Sequence, residues 1–116
     1  MRYKKGDVVI VKFPFIRKEI SETHKGRPAL VICNDAVEKR YEDVILAAIT
    51  SQVPVDILEL EIALEPTKIT GLVKKSLLRL DFIMTIPGAL INRKIGVLPE
   101  NIMREVDLKL KKIFGI

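Results

Sequence analysis

The residues of this 116-residue chain whose types and spacing suit chemistry are Arg27, Thr50, Ser51, Arg79 and Asp81. Arg27 stands directly before Pro28 and the apolar run Ala29-Leu30-Val31-Ile32. A cation at the mouth of a buried strand is costly to keep there unless something anionic visits it. Arg79 and Asp81 are two residues apart in an alternating segment. On a strand that spacing puts both side chains on one face, about 6.5–7 Å apart, within reach of one small anionic group. Guanidinium binds phosphate as a planar fork and stays charged at cellular pH. RNA carries its own nucleophile, the ribose 2′-OH. A protein cuts it by holding the phosphate, stabilising the developing charge and moving one proton each way. That route needs no metal and no cofactor.

Plainer readings stand beside this one. Arg79 and Asp81 also make an ordinary ion pair on an exposed strand face, worth little. Thr50-Ser51 also suit the start of a turn. Arg27 has eight acids between residues 29 and 66 as candidate partners. The only histidine, His24, lies in a long polar segment, and no nucleophile–histidine–acid set forms around it. Cys33 reads as a core residue.

The elements that must position these residues are mostly strands. Val8 to Phe13 is rich in β-branched residues, with Val9, Val11 and Phe13 on one face and Lys12 on the other. Pro14 stops it. Phe15 to Gly26 is a long connection, and long loops on small scaffolds often carry function. Pro28 to Cys33 and Val44 to Ile49 are continuous apolar runs too short for typical helices, so both read as buried strands. From Ile57 to Leu64 the pattern alternates, with Leu58, Leu60, Ile62 and Leu64 inward. It alternates again from Ser76 to Met84, with Leu78, Leu80, Phe82 and Met84 inward and Arg79 and Asp81 outward. Pro87 to Asn92 is a turn or one helical turn, and Arg93 to Leu98 a short strand. Pro99 opens a helix to about Phe114, with Ile102, Met103, Val106, Leu110, Ile113 and Phe114 at inward spacing. Leu108 falls off that stripe, and Gly115 is the candidate cap. Five to seven short strands followed by one helix make a mainly β fold, most simply a small barrel or compact sandwich.

Length gives one domain, residues 1–116. A hydrophobic fraction of 48% excludes a disordered chain, and with 5% aromatics and no tryptophan the core must be Val, Ile and Leu. One cysteine allows no internal disulfide, and no signal peptide precedes it, so the cytoplasm is expected. One cysteine and one histidine exclude a structural zinc site. No apolar run approaches the roughly 18–20 residues that span a bilayer, so no membrane role is expected. The formal charge of +5 is uneven. Residues 1–28 hold eight Lys or Arg against three acids, residues 29–66 two against eight, and residues 67–116 ten against four. Basic ends around an acidic middle suit RNA or an acidic partner, and also suit plain solvated surface.

Several segments together resemble the MazF/PemK family of toxins from type II toxin–antitoxin systems. They are Gly6-Asp7-Val8-Val9 with Phe13-Pro14-Phe15, Arg27-Pro28-Ala29-Leu30-Val31, and Ala47-Ala48-Ile49-Thr50-Ser51. Then come Gly71-Leu72, Ser76 to Asp81, Thr85-Ile86, Arg93-Lys94-Ile95-Gly96 and Glu105-Val106-Asp107. Each motif is short; their order and spacing, running nearly end to end, carry the likeness. The resemblance implies an SH3-like or CcdB-like barrel, usually a homodimer. It implies a metal-independent, sequence-selective endoribonuclease (an mRNA interferase) leaving a 2′,3′-cyclic phosphate and a 5′-hydroxyl. Single-stranded RNA and a cognate antitoxin would be its partners, with DNA reached only through the antitoxin. By position Arg27 corresponds to the catalytic arginine and Thr50 to its hydroxyl partner. Ser51 would assist, and Arg79 and Asp81 would be acid and base candidates. Lys12 and Lys25 are further candidates for binding substrate. Phe82 and Met84 depart from the family's third block, where Gln and Arg are common. The alternatives on the same scaffold are a CcdB-like gyrase-binding toxin and an RNA-binding barrel without catalysis.

Overall fold

The computed structural model describes residues 3–12 and 26–116. Six strands precede one helix: β1 (Asp7–Lys12), β2 (Gly26–Val31), β3 (Asp43–Thr50), β4 (Glu61–Leu64), β5 (Ser76–Pro87), β6 (Ile91–Val97) and α1 (Glu100–Phe114). The strands form one antiparallel sheet in the order β4-β5-β3-β2-β1-β6. They fall on the β-branched runs, as pleated, half-buried surfaces favour. β2 and β3 lie at the centre and bury residues on both faces, which is why their apolar runs are continuous.

Period-two alternation sorts the core into two clusters on opposite faces of the sheet. Val8, Leu30, Ala47, Ile49, Leu78 and Leu80 share one cluster with Val106 of α1, and Ile102, Met103 and Leu110 pack against it. Val9, Val11, Ala29, Val31, Leu46 and Ile86 form the other. Burying one such side chain stabilises the fold by about 1.5–3 kcal/mol before chain entropy is counted.

The sheet is not closed by strand pairing, since β4 and β6 are its two edges. The turn after β4 bridges them instead. The Val97 amide donates to Ile69 O at 2.8 Å. Thr70, 3% exposed, holds that turn: its hydroxyl donates to Glu65 O at 3.1 Å and accepts from the Leu72 amide at 3.3 Å. The two backbones meet at glycines. A Cβ on Gly96 would lie 2.3 Å from Ile69 O, and one on Gly71, at φ +73°, would lie 2.0 Å from Ile95 O. The expected small barrel thus takes the form of an open six-stranded sheet with its edges joined by a turn and α1 covering one face.

The helix follows its sequence closely. Pro99 is the N-cap, one residue before the expected position, and Gly115 caps the other end at φ +69° with its amide on Lys112 O. Leu108 is exposed, as its place off the stripe implies, but so is Phe114, whose spacing predicts an inward position. It ends the helix beyond the reach of the sheet. Leu58 also differs, being 64% exposed. The strand begins only at Glu61 because a tight turn precedes it: the Glu61 amide donates to Leu58 O, and the Leu58 amide to Glu61 Oε1.

The largest departure is in β5. Ala47 pairs with Ile83 while its neighbour Ala48 pairs with Arg79, so Leu80, Asp81 and Phe82 bulge out of the ladder. An odd number of extra residues reverses which face the chain presents. Leu78 and Leu80 therefore face α1, whereas Met84 packs into the opposite cluster and Phe82 belongs to neither.

Candidate functional site

Arg27 alternates with Ala29 and Val31 on β2, and Thr50 with Ala48 and Leu46 on β3. Ala29, Val31 and Leu46 belong to the cluster on the face away from α1. Ala29 pairs with Ala48. Two residues further along this antiparallel ladder the same register sets Arg27 against Thr50, at the end of the strands and on the same face. Arg27 is exposed and Thr50 half-buried. The strand register, not sequence proximity, sets the Arg27 and Thr50 positions opposite each other.

The Thr50 hydroxyl accepts the Gln52 amide at 3.1 Å. A hydroxyl has one hydrogen and two lone pairs, so this bond orients Oγ1 and leaves its O–H to donate elsewhere. Thr50 thus begins a turn and still offers a donor. Ser51 follows it, exposed, outside the strand. Lys12 is brought to neither: it pairs with Gly26, one step from Val11–Arg27, so it points to the opposite face. Lys25, His24 and the loop from Phe15 lie outside the described residues.

Arg79 joins the same row. Glu61, Arg79, Ala48 and Ala29 pair in succession across β4, β5, β3 and β2. From standard strand spacings, Arg79 lies roughly 8 Å from Thr50 and roughly 12 Å from Arg27, backbone to backbone. A long arginine side chain spans much of that. Arg79 and Asp81 form a two-point fork, Nε to Oδ1 at 3.2 Å and Nη2 to Oδ2 at 3.0 Å. That bond holds the Asp81 carboxyl below its ordinary range and lifts the Arg79 guanidinium above its own, with burial opposing both. Nearby Glu61 adds to the rise at Arg79. The pair is half-exposed, which fits a surface ion pair as well as a working one. The Arg79 guanidinium carbon also sits 5.4 Å from the centroid of the Phe82 ring. Strict alternation through Leu80 predicts Phe82 on the inward face. The available signal was an aromatic beside an Arg-x-Asp, but only the bulge turns it toward Arg79.

A cavity of about 600 Å³ lies elsewhere, lined by Tyr3, Cys33, Asp35, Tyr41, Asp43 and Gly88 among others. Cys33 follows the end of β2 and Arg27 stands at its beginning, so this cavity is at the opposite end of the central strands. The row of Arg27, Thr50 and Arg79 lies instead toward the other end of these strands, where Arg27 is exposed among the described residues. Among the described residues no group of three or more His, Cys, Asp or Glu is disposed to hold a metal. No helix among them is long and apolar enough to cross a membrane.

Residues 4–114 match the model of the PemK-like, MazF-like toxins of type II toxin–antitoxin systems. The chain is 32% identical over 94 residues to a probable endoribonuclease MazF of Mycolicibacterium smegmatis, covering 81% of this chain and 84% of the relative. In three dimensions it is similar to MazF in the MazE–MazF crystal structure from Deinococcus radiodurans. The TM-score there is 0.77 at 18% identity, over 100% of this chain and 98% of the other. An endoribonuclease solved with its cognate antitoxin from a mycobacterial species gives a TM-score of 0.76 at 16% identity, over 99% and 97% of the two chains.

Proposed function

The chain belongs to the PemK-like, MazF-like toxins of type II toxin–antitoxin systems, and we propose that it is a cytoplasmic endoribonuclease that cuts single-stranded mRNA beside Arg27 and Thr50. The observation that supports this reading is the β2–β3 register, which puts the Arg27 and Thr50 positions opposite each other on one face of the sheet. The relative named as a probable endoribonuclease supports the activity.

In the proposed reaction the ribose 2′-oxygen attacks the adjacent phosphorus. The P–O2′ bond forms, the P–O5′ bond breaks, and the products are a 2′,3′-cyclic phosphate and a 5′-hydroxyl. Arg27 binds the non-bridging oxygens and stabilises the charge that grows on them in the transition state. The Thr50 hydroxyl donates to the same phosphate, with Ser51 beside it. The Asp81 carboxylate accepts the 2′-OH proton, and the Arg79 guanidinium stabilises the charge on the departing 5′-oxygen, which takes its proton from water. No external nucleophile or metal enters the scheme. Residues 1–116 act as one toxin domain in a homodimer. A cognate antitoxin occupies the cationic face, a partner supported by the neighbour solved with its own antitoxin.

The test is cleavage of a long single-stranded RNA in EDTA by wild type and Arg27→Ala side by side. Fragments ending in cyclic phosphate from wild type alone are expected. Well-folded wild type that leaves several RNAs intact would overturn the nuclease reading.

A further inference from the structure

Of the three bulge residues in β5, the reaction scheme above uses only Asp81. Leu80 is accounted for by the fold: its side chain is fully buried against the α1 face and its amide donates to Leu60 O at 3.0 Å. Asp81 is accounted for by its fork with Arg79. Phe82 is the remainder. It is partly exposed and absent from both core clusters, and its ring lies under the Arg79 guanidinium at 5.4 Å. Two contacts therefore hold this guanidinium: the Asp81 carboxylate binds it at two points and the Phe82 ring lies beneath it.

We propose that Phe82 and the face of Arg79 form a stacking platform for the nucleobase next to the cut, so that Phe82 is a residue of substrate specificity. This rests on the ribonuclease reading. Proteins read single-stranded RNA chiefly by stacking splayed bases on aromatic rings and on guanidinium planes. A platform is most effective when ordered before the base arrives, since less side-chain freedom is then lost on binding. The Asp81 fork supplies that order at Arg79. The position is also right: Arg79 is on the Arg27–Thr50 face, roughly 8 Å from Thr50, so a nucleotide flanking the held phosphate reaches it. One stacked base contributes about 5- to 150-fold in affinity.

The chain contains no tryptophan, so Phe82→Trp introduces a single indole reporter. In an Arg27→Ala background, titration with a short uncut single-stranded RNA is expected to quench its fluorescence saturably. The same titration on Leu108→Trp, on the exposed side of α1, should leave the signal unchanged. With wild-type Arg27, Phe82→Leu is expected to raise KM about 5- to 150-fold with little change in kcat, and to relax the base preference beside the cut. Phe82→Tyr should retain both. Thermal melts of each variant separate loss of stacking from loss of fold. The platform is overturned if wild type cuts RNA but Phe82→Leu keeps the same KM and cut pattern, or if the introduced indole is not quenched. RNA left uncut by folded wild type would instead remove the underlying reading, and this inference with it.

Discussion

The guanidinium of Arg79 meets the carboxylate of Asp81 at two points, Nε on Oδ1 and Nη2 on Oδ2, with the nearer contact at 3.0 Å. The direction of the pKa change follows: the Arg79 bond keeps Asp81 ionised to lower pH than a free carboxyl. As the proposed acceptor of the 2′-OH proton, Asp81 should therefore set an acid limb of kcat/KM below the ordinary carboxylate range. Arg79→Gln removes the fork, lets the carboxyl pKa rise and should move that limb to higher pH while lowering the rate. A limb that stays in place in Arg79→Gln would take Asp81 out of proton transfer.

The same bond makes a smaller prediction for stability. A depressed carboxyl pKa contributes stability that is present above the unfolded pKa and is lost as pH falls through the folded value. Both partners are about two-fifths exposed, 39% and 42%, so solvent screens the pair. Its contribution is on the order of 0–1 kcal/mol. Asp81→Asn should therefore barely change Tm at pH 7, while cleavage falls about 10²–10⁴-fold. Melting and rate measured on one preparation check this, and a large Tm loss with unchanged rate would make the pair structural only.

Arg27 and Thr50 should act on the phosphate in different ways. Arg27→Ala should lower kcat/KM about 10²–10³-fold, as removal of an oxyanion-binding donor does. Arg27→Lys should restore only part, because ammonium is a point charge rather than a planar fork. Each lost phosphate contact on a single strand should also flatten the slope of log K against log salt by about 0.7. A salt slope unchanged in Arg27→Ala would mean that Arg27 does not touch the backbone of the RNA.

Thr50→Val is close to isosteric and removes only the hydroxyl. The Gln52 amide it frees lies at the surface, so the fold should lose no more than about 0.5–1.5 kcal/mol. The rate should fall far more than the stability, and Thr50→Ser should recover most of it. Equal effects of Thr50→Val on Tm and on turnover would reduce Thr50 to a turn residue.

How much of this was legible in the sequence depends on what each feature rests on. Central strands β2 and β3 show in their unbroken branched runs, and α1 shows in its stripe and in Gly115, because local patterning sets both. The Arg79–Asp81 pair follows from a two-residue spacing on one strand. The opposition of Arg27 and Thr50 does not, since it needs the register of two separate strands, β2 and β3, and register is a tertiary property. The face of Phe82 was misassigned because alternation was carried straight through Leu80 to Met84. A bulge has no signature there: no glycine or proline marks it, and Leu80 simply continues the apolar period.

The seam between β6 and the turn after β4 was equally invisible, and it yields the sharpest stability prediction. Gly96 lets the β6 backbone lie against that turn, where an added Cβ would fall 2.3 Å from Ile69 O and 2.4 Å from Thr70 O. Neither obstacle is a flexible side chain, so the backbone itself must move. Moving it stretches the Val97–Ile69 hydrogen bond and disturbs the buried Thr70. Gly96→Ala should therefore cost on the order of 2–4 kcal/mol, the range of core overpacking with a broken hydrogen bond. Gly115 supplies the comparison. Unlike Gly96 it has positive φ, at +69°, but nothing lies within 4 Å of an added Cβ. Gly115→Ala should cost only the left-handed backbone penalty of about 1–2 kcal/mol. Urea melts of the two variants decide the point. If Gly96→Ala is no less stable than Gly115→Ala, the close backbone contact does not join the edges of the sheet.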